Sequence, residues 1–534
     1  MRHCFWIAFP FPVWAFWCGV VVEPDTVDFG TIAIGQEHRR VVWIHNTGAA
    51  DIELRSVQVY QWAWGGFSVA VQTPQVVPPG GKVAIEVRTS FRHNVPTEGL
   101  LLLRLQCPEA DWTYPCLLRA YVEDPDSLYR GTNGLWGEAL RGYLQQVVRA
   151  QAVFPYDSVR SWVFRMVHNR GGRVECVYTG QTARVPPIPP QAFNVEHTWP
   201  RSRGADTLPP LSDLHHLFPT LAEANERRSN LPFGLVRQIL WELGGSRYGF
   251  DSVGREVFEP RDGHKGDAAR ALFYVALRYG NMTGFLTAGH EALLRQWHWQ
   301  DTVDEWERER TRRIAQLQGR ANPFVERPQL VERLYRIGGP ADAPVLPVVL
   351  PSDTLLEYRG QERRWRLRLA CLNTGWTSVE LRGIEPLVLP DSVTVTWLSA
   401  DSSIAAGRVG WISIELSGKP ASDGTLRFRI RFAAGVRPLE VTFRIAATTG
   451  ATVEPPHFRE DILSVRWRAA LGTETPRLFI YTLLGQSQEV VPLVRQTKVG
   501  ELELQLPRHR LPRGWLLLCL KVGQQMWWTW TLNP

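Results

Sequence analysis

The sequence predicts a multidomain chain in which an α+β domain lies between all-β sandwiches of immunoglobulin-like type. Three observations predict it. At 534 residues the chain exceeds what one hydrophobic core serves, and domains of roughly 100–200 residues are expected. Both flanks carry short alternating strands divided by Gly, Pro and Asn turns, which is the spacing of sandwich domains. The middle instead shows longer apolar stripes at helical spacing, broken by polar stretches. A hydrophobic content of 44% with 21% charged residues suits folded domains in water. The net charge of +7 suits a polyanionic partner without requiring one. Tryptophan is abundant, at 23 residues, and nothing in the sequence explains it.

Arg2 and the apolar run Phe5 to Val22 read as a secretory leader, residues 1–22. Pro10 and Pro12 disfavour a spanning helix, and no later segment is long and apolar enough to cross a bilayer. Of the 7 cysteines, Cys4 and Cys18 leave with the leader. Cys107 and Cys116 flank a hairpin and could pair, whereas Cys176, Cys371 and Cys519 are expected as buried thiols. The chain has no Cys-x-x-Cys motif.

Residues 23–123 are expected as the first sandwich. Val41 to Ile44 runs into the turn Asn46-Thr47-Gly48, Ile52 to Val59 alternates, and Pro78 to Gly81 turns the chain into Val83 to Val87. The pattern returns in residues 341–450. There Arg366 to Cys371 reaches a second Asn373-Thr374-Gly375, and Gly410 to Glu415 echoes Gly81 to Glu86. Residues 451–534 are β-rich and read as a third sandwich. The first two read as spacer or scaffold; binding to carbohydrate or a cell surface is the sharper reading, and no residue cluster supports it.

Residues 124–340 form the α+β region. Helices are expected over Leu135–Ala152, Tyr156–Val167, Gly266–Tyr279 and Val303–Leu317, with a strand at Val174–Thr179. Arg270 and Arg278 could face a phosphate groove or solvent; Arg310, Arg312 and Arg313 could reach nucleic acid or support their own helix.

The densest chemistry lies between Phe193 and Asn230, read as strand, long loop, strand, helix. Thr220 is the expected helix N-cap, with Glu223 completing a capping box. This order brings Glu196 and His197 near a helix face carrying Asn225. Glu196 and Asn225 offer hard oxygen ligands that suit Mg²⁺ with water in the remaining positions. His197 can take a proton from water. A cation, a base and arginines are the parts needed to cut a phosphodiester. Adjacent residues of a regular strand face opposite sides, so the strand must end or bend at His197 if both act together. By the same alternation His215 and His216 point apart, and one of them could back the site.

At these residues the chain resembles the endonuclease I family of secreted bacterial nucleases, which use a ββα-metal site. The matching pieces are Asn194-x-Glu196-His197-x-x-Pro200, Ser212 to Leu217, Asn225-x-x-Arg228-Ser229-Asn230-x-Pro232-Phe233-Gly234, Gly266 to Tyr274, Glu305 to Arg310, and Gln318-Gly319-x-x-Asn322-Pro323-Phe324. Each piece alone is weak; their shared order is what carries the resemblance. It implies a secreted, Mg²⁺-dependent, sequence-nonspecific endonuclease acting on DNA, and on RNA as an alternative, with His197 as general base. Glu196 and Asn225 would be the metal ligands, and the products would carry 5′ phosphates. Asp213, His215, His216, Arg228, Asn230, Arg201 and Arg203 are candidates for supporting the ligands or holding phosphate. A leaving-group arginine is expected in the loop, where Arg201 and Arg203 both stand. The opening Asp28 to Gly35 is similar to Ig-like domains of surface and secreted bacterial proteins, and the C-terminal region resembles sorting domains of type IX secretion. A monomer is expected, located outside the cell. A non-catalytic, nucleic-acid-binding adhesion protein is the competing class, and retention of Glu196, His197 and Asn225 argues against it.

Overall fold

The computed structural model describes residues 19–107 and 110–342, and within 348–533 the strands named below with some of their connections. Residues 126–342 form one compact unit, and the β-rich remainder forms the other.

The first sandwich contains β1 (Val20–Glu23), β2 (Thr26–Ala33), β3 (Glu37–Asn46), β4 (Ile52–Gln61), β5 (Phe67–Ala70), β6 (Gln75–Val77), β7 (Lys82–Ser90), β8 (Thr97–Cys107) and β9 (Ala110–Glu123). One sheet runs β1-β3-β7-β5 and the other β2-β9-β8-β4-β6. Alternate residues point inward, so Val42 and Ile44 of β3 meet Leu101, Leu103 and Leu105 of β8 in one core. Two expectations meet the structure here, and the second is corrected. Val20–Glu23, the end of the expected leader, forms β1 and buries Val20 and Val22 in that core. Cys116 is a buried free thiol and Cys107 is disulfide-bonded elsewhere, so the expected Cys107–Cys116 pair does not form. Residues 1–18, including Cys4 and Cys18, lie outside the described residues.

The same unit holds a second pair of sheets. Their strands are β17 (Val348–Val349), β18 (Arg364–Asn373), β19 (Val379–Val388), β20 (Val393–Ala400), β21 (Ser403–Ile404), β22 (Val409–Gly418), β23 (Gly424–Phe432) and β24 (Leu439–Ile445). They are ordered β17-β18-β22-β20 and β21-β19-β23-β24. The repeated Asn-Thr-Gly turns do the same work in each domain. Asn46 donates from Nδ2 to the Ala50 and Val77 carbonyls, and its Oδ1 accepts from Gly48 N. Asn373 donates to the Thr377 and Ile404 carbonyls and accepts from Gly375 N. Beyond these, further strands between Glu454 and Asn533 form two four-stranded antiparallel sheets.

The two sandwiches pack on each other through Leu100 and Leu102 of β8 and Ala370 and Leu372 of β18. Trp64 meets Trp376 edge-on at 4.7 Å. Glu98 accepts from Arg119 Nε, Arg408 Nη1 and Val409 N at 3.0, 3.0 and 2.9 Å. Part of the tryptophan content is therefore spent on this junction. Gly407 belongs to it: its φ is +67°, and a Cβ there would lie 2.1 Å from the Trp62 ring.

The α+β unit contains α1 (Gly137–Arg149), α2 (Tyr156–Trp162), β10 (Arg173–Glu175), β11 (Thr182–Arg184), β12 (Phe193–His197), β13 (Leu217–Leu221) and α3 (Ala222–Arg228). It continues with the meander β14 (Gln238–Leu243), β15 (Ser246–Phe250) and β16 (Glu256–Glu259). Helices α4 (Lys265–Tyr279), α5 (Ala288–Gln300), α6 (Glu305–Gln318) and α7 (Pro323–Glu326) follow. Helix α4 is central and is apolar nearly all round, as a buried helix should be; Ala268, Ala271, Leu272, Val275 and Leu277 are all in the core. Its arginines face neither phosphate nor water. Arg270 is buried and paired with Glu307 at 2.7 Å, and Arg278 reaches Asp213 at 2.9 Å.

Candidate active site

β12 and β13 pair antiparallel, with Glu196 opposite Phe218 and His197 opposite Leu217, and α3 follows β13 directly. The expected capping box is absent. Pro219 and Thr220 belong to β13, and Leu221, without a side-chain bond, stands at the N-cap. Thr220 instead points inward, its Oγ1 3.5 Å from Cys176 Sγ.

Strand alternation puts Asn194 and Glu196 on one face of β12. The three-residue spacing of Asn225 and Arg228 puts both on one face of α3. The two faces meet in two rungs. Asn225 Nδ2 donates to Asn194 Oδ1 at 2.9 Å, and Arg228 Nε lies 3.1 Å from Glu196 Oε1. Along α3 the two rungs are separated by about 4.5 Å of helix rise. Glu196 and Asn225 are therefore diagonal neighbours. Glu196 is buried, and its Oε1 also accepts from the Tyr178 hydroxyl at 2.8 Å. Its Oε2 takes no protein donor among the described residues. With Nδ2 engaged, Asn225 turns Oδ1 the other way.

β12 ends at His197, whose ring lies beside Tyr156 at 5.6 Å and His216 at 5.5 Å. His197 Nε2 is 3.1 Å from the Leu211 carbonyl, so Nε2 carries the proton and Nδ1 is the acceptor. Burial, aided by the neighbouring His216, Arg201 and Arg228, lowers its pKa to about 3. At neutral pH the imidazole is uncharged and able to accept a proton.

The loop supplying the Leu211 carbonyl is nailed down from distant parts of the chain. Gln318 donates to Ser212 O at 2.8 Å and accepts from Leu214 N at 2.9 Å. Asp213 is fully engaged: Oδ1 accepts from Gln151 Nε2 and His215 N, and Oδ2 accepts from Arg278 and the Tyr279 hydroxyl. Arg310 caps the Leu214, His215 and Leu217 carbonyls and stacks 3.9 Å over Phe218. It is buried and holds protein rather than nucleic acid. Arg313 likewise bonds Glu309 and backbone carbonyls near Asn169.

Other expected site residues separate by role. His215 and His216 sit in a 3₁₀ turn, Leu214–His216, rather than in a strand. His216 is the one that backs His197, with Nε2 2.7 Å from Pro210 O. His215 packs on Tyr274 at 4.2 Å, within the scaffold. Arg228 is buried and bonds the Ser229 and Thr198 carbonyls as well as facing Glu196, so it orients α3 and is not open to phosphate. Asn230 donates to Ser202 Oγ at 3.2 Å. Arg201 and Arg203 are exposed on a 3₁₀ turn, Arg201–Arg203, and the Arg201 charge acts on both His197 and Tyr156. Sequence reasoning gave no role to Tyr178, Leu211 or Gln318. Tyr178 sits in an ordinary apolar stretch, and a backbone carbonyl leaves no mark in a sequence.

Among the described residues no three His, Cys, Asp or Glu side chains form a cation cage. The donors available, one carboxylate oxygen and one amide oxygen, do fit a small hard cation completed by water.

A mixed α/β unit with a carboxylate and an amide set diagonally across a strand–helix step, beside a neutral histidine, has the parts expected of a phosphodiester-cleaving enzyme. Comparison with known proteins agrees. Residues 170–329 match the Endonuclease I family model, and residues 20–93 match a HYDIN/CFA65/VesB-like, Ig-like domain. The chain is 29% identical over 233 residues to an extracellular ribonuclease of Bacillus subtilis (strain 168), covering 40% of this chain and 79% of the relative. It is 37% identical over 115 residues to an extracellular deoxyribonuclease of Aeromonas hydrophila, covering 22% of this chain and 49% of the relative. A periplasmic deoxyribonuclease of Aeromonas hydrophila is 36% identical over 115 residues, covering 22% and 47%. The protein is an endonuclease, with residues 170–329 similar to the Endonuclease I family and residues 20–93 similar to an Ig-like domain.

Proposed function

We propose that the α+β unit is a divalent-cation-dependent nuclease that hydrolyses DNA with little sequence preference and leaves 5′ phosphates. The observation that carries this reading is the two-rung step in which Asn194 and Glu196 of β12 meet Asn225 and Arg228 of α3, next to a neutral imidazole tied to the Leu211 carbonyl. His197 Nδ1 takes a proton from the attacking water, and the Leu211 carbonyl stabilises the imidazolium that results. Glu196 Oε2 and Asn225 Oδ1 would hold the cation, Mg²⁺ by the hardness of both donors, and when bound it offsets charge on the phosphoryl and leaving oxygens. We assign a substrate phosphate to Arg201, a reading supported by its exposure and its charge effect on His197. Recognition is through backbone phosphates, which every sequence shares.

RNA is the second substrate to test, because the relative covering the larger part of this chain is named a ribonuclease. The named locations of the relatives support export, and among the described residues no helix is long and apolar enough to cross a membrane. We read the β domains as scaffold, the last of them as a sorting domain for type IX secretion, and the mature chain as a monomer. Degradation of plasmid DNA and of RNA in Mg²⁺ tests the central reading. Wild type should cut and His197→Ala should not; equal rates would remove His197 from the mechanism.

A further inference from the structure

We propose that Tyr178 and Asn194 are positioning residues that present one oxygen each, Glu196 Oε2 and Asn225 Oδ1, to the divalent cation. This rests on the reading of the site given above. Both groups that face the Glu196 carboxylate act on one oxygen: the Tyr178 hydroxyl donates to Oε1 at 2.8 Å, and the Arg228 guanidinium forms an ion pair with the same Oε1, its Nε 3.1 Å away. A carboxylate held in this way binds a cation through its other oxygen and in one orientation. Asn225 poses the matching problem. Its amide can present either Oδ1 or Nδ2, and Nδ2 toward a cation is repulsive. Asn194 Oδ1 accepts from Asn225 Nδ2 at 2.9 Å and so selects the orientation with Oδ1 forward.

Tyr178 is itself fixed. It is buried, its ring lies 4.8 Å from Phe258 and 5.6 Å from His264, and its carbonyl accepts from Ser246 Oγ at 2.7 Å. Arg228 supplies charge to the same oxygen but is shared with the Ser229 and Thr198 carbonyls. Tyr178 therefore adds a constraint that Arg228 alone does not. Neither Tyr178 nor Asn194 acts except through a ligand, and the effect of each should appear first in cation affinity.

The test uses the full chain and the variants Tyr178→Phe, Asn194→Ala and, as reference, Glu196→Gln. Mg²⁺ binding is titrated by calorimetry, DNA affinity is measured in EDTA, and turnover is measured against Mg²⁺ concentration. Tyr178→Phe and Asn194→Ala should each weaken Mg²⁺ binding about 10–100-fold. DNA affinity in EDTA should stay at the wild-type value, and excess Mg²⁺ should restore most of the turnover. If Glu196→Gln abolishes Mg²⁺ binding while the other two variants bind as wild type, the positioning role is overturned and the site stands. If turnover stays low in excess Mg²⁺ and the unfolding temperature drops, the two residues are merely structural and the proposal again fails. Wild type that takes up no Mg²⁺ would remove the reading of the site, and the positioning role with it.

Discussion

His197 shows how one side chain is prepared by its surroundings. An exposed imidazole is about half charged near pH 6.5. Buried beside His216 and Arg201, with its proton pinned on Nε2 by Leu211 O, this one stays neutral far below that pH. His197→Ala should lower kcat by about 10²–10⁴-fold, the usual worth of a general base, with little change in DNA affinity; supercoiled-plasmid kinetics and a filter-binding assay separate the two. The same burial has a cost in acid. His168, His197, His215, His216, His290 and His298 are all shifted downward, chiefly by burial. Below the unfolded value of 6.5 the unfolded chain binds protons that the folded unit excludes. Stability should therefore fall as pH drops from about 6.5 toward 4, each ring contributing up to about 1.4 kcal/mol per pH unit. Urea midpoints measured across that range should decline steadily; a flat profile would mean these rings are not held neutral.

Among the elements, β12 and its loop are held by helices far away in sequence. Arg310 of α6 caps three loop carbonyls, and Gln318 ties Ser212 to Leu214. Arg310→Leu should destabilise the α+β unit by roughly 3–5 kcal/mol, as breaking a buried charge network does. Denaturant unfolding would measure it, and a loss under 1 kcal/mol would contradict the capping role. The element scale also marks where local patterns mislead. Thr220 and Glu223 have capping-box spacing, yet β12 recruits Leu217–Leu221 as its partner strand and delays the helix to Ala222. Pairing along a whole strand outweighs one capping bond, typically worth about 1 kcal/mol. His215 and His216 fail to alternate for a related reason: Asp213 Oδ1 accepts from His215 N and winds that segment into a turn before β13 begins.

Across the molecule, the β unit joins two sandwiches through a buried seam. Glu98 gathers Arg119, Arg408 and Val409 N, beside Trp64 on Trp376. Glu98→Ala leaves two partly exposed guanidinium groups and the Val409 N–H without their acceptor, which should cost roughly 1–2 kcal/mol. Calorimetry should then show the two sandwiches unfolding in separate steps where wild type shows one; a single unshifted transition would argue that the seam is incidental. Substrate binding belongs to this scale as well. If recognition is through phosphates, log Kd for DNA measured in EDTA should rise linearly with log salt for any sequence, and dependence on sequence would contradict it.

Much of this was legible from residues alone. The Asn-Thr-Gly repeat announced two domains of one kind because a turn is a local object whose hydrogen bonds close within a few residues or one strand away. Glu196, His197 and Asn225 stood out as candidates because the chemistry proposed for them, a hard cation and a base, restricts residue type. What the sequence left open is what depends on partners remote in the chain. Arg228, Arg270, Arg278 and Arg310 stood open in the sequence between a polyanion and a solvated or supporting role; packing turned each inward onto Glu196, Glu307, Asp213 or a carbonyl. Tyr178 and the Leu211 carbonyl carry no signal until folding brings them to a carboxylate and a ring. Composition and local pattern thus determined the kind of domains and the candidate groups for the proposed chemistry. Tertiary structure decided which charges are spent inside and which atom of each ligand faces out, because burial and lone-pair direction are properties of a neighbourhood and not of a residue.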